Sequence, residues 1–187
     1  MFAIVLATVC WGPVLLRYQR ARLQQPVIKQ LRMRGAHVGM RLSSLTPEVA
    51  DTVTLLPYPS HESAYRWSDE DMALIGKLTT LRSVSINYSE VTNRGLQHLH
   101  GCPHLKHFSA YRTAIDDEGL KVLAELDTLE DLELLDTHVT DQGLQYLSRL
   151  PRLRWLIVPK DSITEEGVAR FQQQVGKREV PVEVDRL

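Results

Sequence analysis

At a spacing of 24 residues, Ser83, His107 and Asp131 stand in line along the chain. A hydroxyl, an imidazole and a carboxylate are the parts of a nucleophile, its general base and the group that orients that base. A denser grouping overlaps it: His98, His100, Cys102, His104 and His107 fall within ten residues, and these are residue types that hold transition metals. Neither grouping is chemistry until the backbone places it. Acyl transfer needs an oxyanion hole and exclusion of water, and a metal needs donors that converge on one point.

The elements that place these residues come from a repeat. Val91, Ile115, Val139 and Ile163 open successive 24-residue units, with Trp67 in the equivalent position before them. The next column holds Ser68, Thr92, Asp116, Thr140 and Thr164, all good helix N-caps. Asp69, Asp117, Asp141 and Glu165 follow, with Asn93 the exception, and acidic groups suit the positive end of a helix dipole. Met72, Leu96, Leu120, Leu144 and Val168, then Ile75, Leu99, Leu123, Leu147 and Phe171, lie three residues apart on one helical face. Beyond Leu81, Leu105, Leu129 and Leu153 the apolar period falls to two, as at Val84 and Ile86 or Phe108 and Ala110, which predicts a half-buried strand.

In this register the histidines scatter between helix end, turn and strand, and Cys102 takes a leucine position in the core, so no metal site is expected. Ser83, His107 and Asp131 fall on neighbouring strands of an open face, where catalysis is not expected either. No glycine-rich phosphate loop or nucleophile elbow is present.

The L-x-x-L-x-L strand segments, preceded by units such as VTNRGLQHL, IDDEGLKVL and VTDQGLQYL, resemble the leucine-rich repeat. The resemblance covers residues 67–168 and implies a right-handed α/β solenoid with one short strand and one helix per repeat. Such solenoids bind other proteins through the inner strand face. With its apolar N-terminus the chain also resembles short bacterial single-pass membrane repeat proteins. The pattern departs at Asp71, where later units have Gly95, Gly119, Gly143 and Gly167, so the first repeat is expected to start differently. The last unit decays, with Val180 and Val182 in the strand columns and Lys177 in a leucine column, as a capping unit would.

The 187 residues leave room for one domain and an appendage. Net charge is −1, yet residues 1–47 carry seven basic residues and no acidic one, leaving 15 of the 22 basic residues against all 23 acidic ones. An acidic domain argues against nucleic acid as partner, and a basic arm suits anionic lipid headgroups. Residues 2–16 are uncharged and largely apolar, covering roughly 22 Å of a ~30 Å hydrocarbon core. Residues 1–18 are therefore expected to be a single-pass membrane anchor, the alternatives being a cleaved signal peptide and a buried helix. Residues 19–35 are read as a basic juxtamembrane helix with Pro26 at its first position and Gly35 as its stop. Residues 36–66 are read as a connecting or capping region with a strand at 53–56, and residues 67–187 as the repeat domain.

The side chains expected to face outward on the inner surface include His107, Ser109 and Tyr111, then Asp131 and Glu133, then Trp155, Ile157 and Pro159. Of these, His107, Ser109, Tyr111, Asp131, Glu133 and Trp155 are the candidate binding residues. An aromatic pair around an acidic patch suits a protein partner with a basic or amphipathic segment. The expected function is therefore a non-enzymatic, membrane-tethered interaction module without cofactor. The alternative is an assembly component that self-associates through its repeats.

Overall fold

The computed structural model describes residues 19, 21–43, 46–54, 66–176 and 182–187. Each repeat runs through the same sequence of events. An extended N-cap residue turns the chain into a short helix, and the side chains of Thr92, Asp116, Thr140 and Thr164 accept hydrogen bonds from backbone N–H groups of the first turn. The helices are α2 (Asp69–Ile75), α3 (Asn93–Leu96), α4 (Asp117–Leu123), α5 (Asp141–Tyr146) and α6 (Glu165–Val175), each following its expected cap. Three-residue strands follow at β3 (Ser83–Ser85), β4 (His107–Ser109) and β5 (Asp131–Glu133), with a longer β6 (Trp155–Val158). Parallel pairing advances by one repeat per strand, so Ser83, His107, Asp131 and Trp155 are lateral neighbours, as are Val84, Phe108, Leu132 and Leu156. This parallel sheet backed by helices resembles a leucine-rich-repeat solenoid.

The apolar columns read from the 24-residue register form one continuous core. Ile75, Leu99, Leu123, Leu147 and Phe171 are each fully buried, and the strand residues Val84, Phe108, Leu132 and Leu156 lie against them. Each such side chain contributes about 1.5–3 kcal/mol relative to exposure. Cys102 belongs to this core: its thiol lies against the Ile75 carbonyl at 3.6 Å, and burial pushes its pKa up to about 12, so it stays a neutral thiol.

The ends of the solenoid differ from expectation. Among the described residues no helix is long and apolar enough to cross a membrane, which overturns the expected single-pass anchor; residues 1–18, on which it rested, lie outside the described residues. The expected juxtamembrane helix is a cap. Helix α1 (21–33) buries Ala21, Gln24, Ile28 and Leu31, the last two inside the common core, and the Gln24 amide bonds the hydroxyls of Thr79 and Thr80. Pro26 sits within this helix and does not start it. Its missing N–H is tolerated because Pro26 and Arg22, whose carbonyl would receive that bond, both lie on the exposed face. Gly35 does stop the helix: at φ 93° it closes a C-terminal motif in which Ala36 N–H reaches the Leu31 carbonyl and Gly35 N–H that of Arg32, both at 3.0 Å.

Residues 37–43 and 46–54 belong to the sheet and are not a connector. They form strands β1 (His37–Ser43) and β2 (Thr46–Thr54), antiparallel to each other, and β2 then pairs parallel to β3. The expected strand at 53–56 is the tail of β2, and Leu55 and Leu56 lie outside the described residues. At the other end, β7 (Glu183–Arg186) pairs parallel to β6 with Val184 opposite Leu156 and Arg186 opposite Val158. The strand columns are thus not Val180 and Val182 but lie four residues later, after an α6 of 11 residues; α4 has 7, and α3 and α5 reach Gly101 and Arg149 only through 3-10 turns. Val180 lies outside the described residues, and Val182 is buried. Among the described residues seven strands, not five, make up the sheet.

Just past the strands, Tyr88, Arg112 and Asp136 adopt φ of 57°, 56° and 51° at the same 24-residue spacing. This left-handed conformation costs an L-residue roughly 1–2 kcal/mol, only partly offset in glycine by its greater unfolded-state freedom. Arg112→Gly is therefore expected to raise stability by about 0.5 kcal/mol and Arg112→Val to lower it by about 1 kcal/mol in urea unfolding, β-branching being least compatible with positive φ. The Arg112–Asp136 ion pair at 3.7 Å is two-thirds exposed and adds little either way.

Candidate inner-face binding site

From β3 to β7 the inner face carries two lateral rows of side chains. The first reads Ser83, His107, Asp131, Trp155 and Glu183; the second Ser85, Ser109, Glu133, Ile157 and Asp185. His107 Nδ1 meets Asp131 Oδ2 at 2.5 Å, and the Ser109 hydroxyl lies 2.9 Å from both Asn87 Oδ1 and Glu133 Oε2, donating to one at a time. Asn87 Oδ1 also accepts from Tyr111 N–H at 2.8 Å. These bonds run across strands, so the face is a cross-linked polar net. A shallow depression of about 170 Å³ opens over it between Ser83 and Trp155.

All six candidates therefore lie on one surface, as a polar centre with an aromatic residue on each of two flanks. His107, Ser109, Asp131 and Glu133 make the polar centre. Tyr111 packs edge to face against Tyr88, ring centroids 4.8 Å apart, at the far end of the strands. Trp155, 43% exposed, lies on the other flank, and its indole N–H donates to Asp185 Oδ2 at 2.9 Å. Ile157 and Pro159 were expected to face outward and are buried. The added strand β7 borders them, and the indole crosses diagonally from its own partner Glu183 to Asp185, the partner of Ile157.

The row Ser83, His107, Asp131 is assembled only in part. Asp131 holds the imidazole by Nδ1, whereas no hydrogen bond joins Ser83 to His107. The histidine run disperses as its register requires. His100 bonds the Gln97 carbonyl and Glu125, His107 bonds Asp131, and Cys102 is in the core. Among the described residues no three His, Cys, Asp or Glu side chains are gathered as metal ligands.

Two sets of residues were not visible in the sequence. Glu183 and Asp185 join the face only because β7 is displaced by four residues. The acidic residues at the helix starts do more than meet a dipole. Asp69 accepts from Thr92 N–H and hydroxyl at 2.8 and 2.7 Å, Asp117 likewise from Thr140 at 2.7 and 2.7 Å, and Asp141 from Thr164 at 2.8 and 2.6 Å. Each clamps the N-cap of the following repeat. The carboxylate reaches that cap across a glycine: a Cβ on Gly143 would stand 2.1 Å from Asp117 Oδ1, and one on Gly95 2.5 Å from Asp69 Oδ1. Asp71 escapes the glycine rule because the cap helix, not another repeat, precedes it. Fully buried, it accepts from Ser68 N–H at 2.9 Å and pairs with Arg34.

Beneath the face, Lys106 pairs with Glu130, and Arg154 lies 4.0 Å from it. The hydrogen bond from Lys106 holds the Glu130 carboxyl below its ordinary value, outweighing the opposing effect of burial. A lowered folded pKa stabilises the fold above the unfolded value of about 4.3, and the contribution is lost as pH falls through the folded value. The stability gap between the native chain and Glu130→Gln, measured by urea unfolding, should stay constant above about pH 5.5 and narrow on acidification.

No protein-family model matches the sequence, and no curated protein does. Among solved structures the chain is similar to the leucine-rich-repeat ectodomain of the receptor kinase SOBIR1 from Arabidopsis thaliana, at 16% identity. The likeness covers 90% of this chain and 93% of that one, with a TM-score of 0.44. A likeness so loose carries no weight, and the architecture stands on this chain's own register: capped helix, leucine turn and strand, renewed every 24 residues.

Proposed function

We propose that the chain is a non-enzymatic protein-binding module that takes its partner on the inner strand face. The observation that carries this reading is the aromatic groups on both flanks, exposed Tyr88 with half-buried Tyr111 and exposed Trp155, around the acidic centre of Asp131 and Glu133. Large aromatics left partly in water beside a rigid polar net are the anchors interfaces use. The partner segment is basic or amphipathic, complementing Asp131, Glu133, Glu183 and Asp185. Seven strands span ~29 Å and their exposed length ~13 Å, so the sheet offers roughly 380 Å², about half of what a standard interface buries on each side. The partner therefore also reaches the loop residues beyond the strands, Tyr88 and Arg112 among them.

Affinity capture with the full chain should retain a partner that is lost with Tyr111→Ala/Asp131→Ala/Trp155→Ala. Equal retention by both would refute the inner-face reading. A second reading, self-association, is favoured by β7: its Glu183 and Leu187 N–H groups bond back to β6, so by strand alternation the backbone groups of Val184 and Arg186 face outward along a sheet edge. Sedimentation of the full chain at low and high concentration separates the two, a stable oligomer favouring assembly and a monomer favouring the binding module.

A further inference from the structure

The four-residue displacement of β7 arranges the last three strands in a way an even register would not. In one lateral row Trp155 stands between Asp131 and Glu183, and in the next Ile157 stands between Glu133 and Asp185. An apolar strand centre is thus bordered on each side by two carboxylates, the acidic columns ~10 Å apart with the indole between them. Trp155 keeps 43% of its surface exposed even though its N–H is fixed to Asp185, so the ring is both open and oriented. His107 engages Asp131 from the β4 side, whereas among the described residues neither Lys nor Arg pairs with Glu133, Glu183 or Asp185.

An indole face attracts a cation within about 6 Å of its centroid, and adjoining carboxylates strengthen the attraction. Of the two cationic side chains, a guanidinium fits better. It is planar, so it stacks on the ring, and its N–H edges are directed sideways to acceptors on both flanks at once; an ammonium is a compact point charge that does neither. We propose that Trp155, with Asp131 and Glu133 on one side and Glu183 and Asp185 on the other, receives an arginine side chain of a protein partner. This rests on the inner-face reading and names the side chain that face takes.

The test uses the full chain and the indole N–H resonance of Trp155, identified among the three tryptophans by its loss in Trp155→Phe. Blocked peptides Gly-Ser-Arg-Ser-Gly, the lysine version and the citrulline version are titrated in turn. The arginine peptide should shift the Trp155 resonance, with the lysine peptide weaker and the neutral citrulline peptide weaker by at least about tenfold, or 1.4 kcal/mol. Glu183→Gln/Asp185→Asn should weaken arginine binding by about tenfold; both residues are exposed, and asparagine still accepts the indole N–H, so the fold and ring position are kept. Citrulline binding as well as arginine, or the double variant binding unchanged, would overturn the proposal. A captured partner that depends on Tyr111 but not on Glu183 and Asp185 overturns the arginine receptor and leaves the inner-face reading standing. Dependence on neither overturns both.

Discussion

Gly143→Ala is expected to destabilise the chain by about 2–4 kcal/mol, where the same change inside an ordinary helix stabilises by about 1 kcal/mol. The reversal of sign comes from the neighbouring repeat. The new methyl carbon would stand 2.1 Å from Asp117 Oδ1 and 2.7 Å from its Cγ, so the carboxylate has to leave Thr140, giving up two charge-assisted hydrogen bonds at the start of α5. At roughly 2–4 °C per kcal/mol for a chain of this size, the loss should appear as a fall in Tm of about 4–16 °C. Asp117→Ala separates the two causes. Alone it loses the clamp; combined with Gly143→Ala it also removes the collision, so the double variant should be distinctly more stable than the sum of the single effects predicts. A Gly143→Ala chain as stable as the native one would show that the carboxylate does not occupy the space the glycine leaves.

Asn93→Asp is expected to cost about 2–3 kcal/mol at neutral pH despite being nearly isosteric. At this one boundary the N-cap is acidic. Asn93 Nδ2 donates to Asp116 Oδ1 at 2.7 Å, and Asp116 N–H donates to Asn93 Oδ1 at 3.2 Å. An aspartate at 93 would set two carboxylates at hydrogen-bond distance with no proton between them. The repulsion raises the folded pKa of the pair, so the penalty grows as pH rises and shrinks in acid, where one carboxyl takes up a proton. The decisive measurement is the rescue: Asn93→Asp/Asp116→Thr recreates the Asp–Thr pairing of the other boundaries and should recover most of the loss. Absence of rescue would mean that the two residues do not act as a pair.

The repeat was legible because its signals are local and periodic. The caps Ser68, Thr92, Asp116, Thr140 and Thr164 and the columns ending at Leu81, Leu105, Leu129 and Leu153 each follow from a residue type at a fixed offset. The candidate face followed from strand alternation, which is why His107, Ser109, Tyr111, Asp131, Glu133 and Trp155 share one surface. What escaped was information that lives between elements. A carboxylate behind an N-cap is fully explained by its own helix dipole, so its reach to the next repeat left no separate trace except the joint departure of Asn93 and Asp116. The position of β7 depends on how far α6 continues past Phe171, and no local signal marks that stop before Gly176. Helix α1 spaces Ala21, Gln24, Ile28 and Leu31 along one face, but Arg22, Lys29 and Arg32 around them suggested lipid and hid a cap.

The clamps also show where one module of this chain ends and the next begins. The paired residues are 69 with 92, 93 with 116, 117 with 140 and 141 with 164, so every clamp is contained in a 24-residue block cut between the N-cap and the first helical residue. Cut there, a block carries both halves of its own latch, and blocks with an Asp–Thr latch and the block with an Asn–Asp latch are interchangeable without any mismatch at the joints. Removing residues 93–116 would leave Thr92 followed directly by Asp117, with every remaining latch matched. Cut at the hydrophobic residue that opens each repeat, the same chain would trade half-latches between neighbours, and one swap would set Asp against Asp.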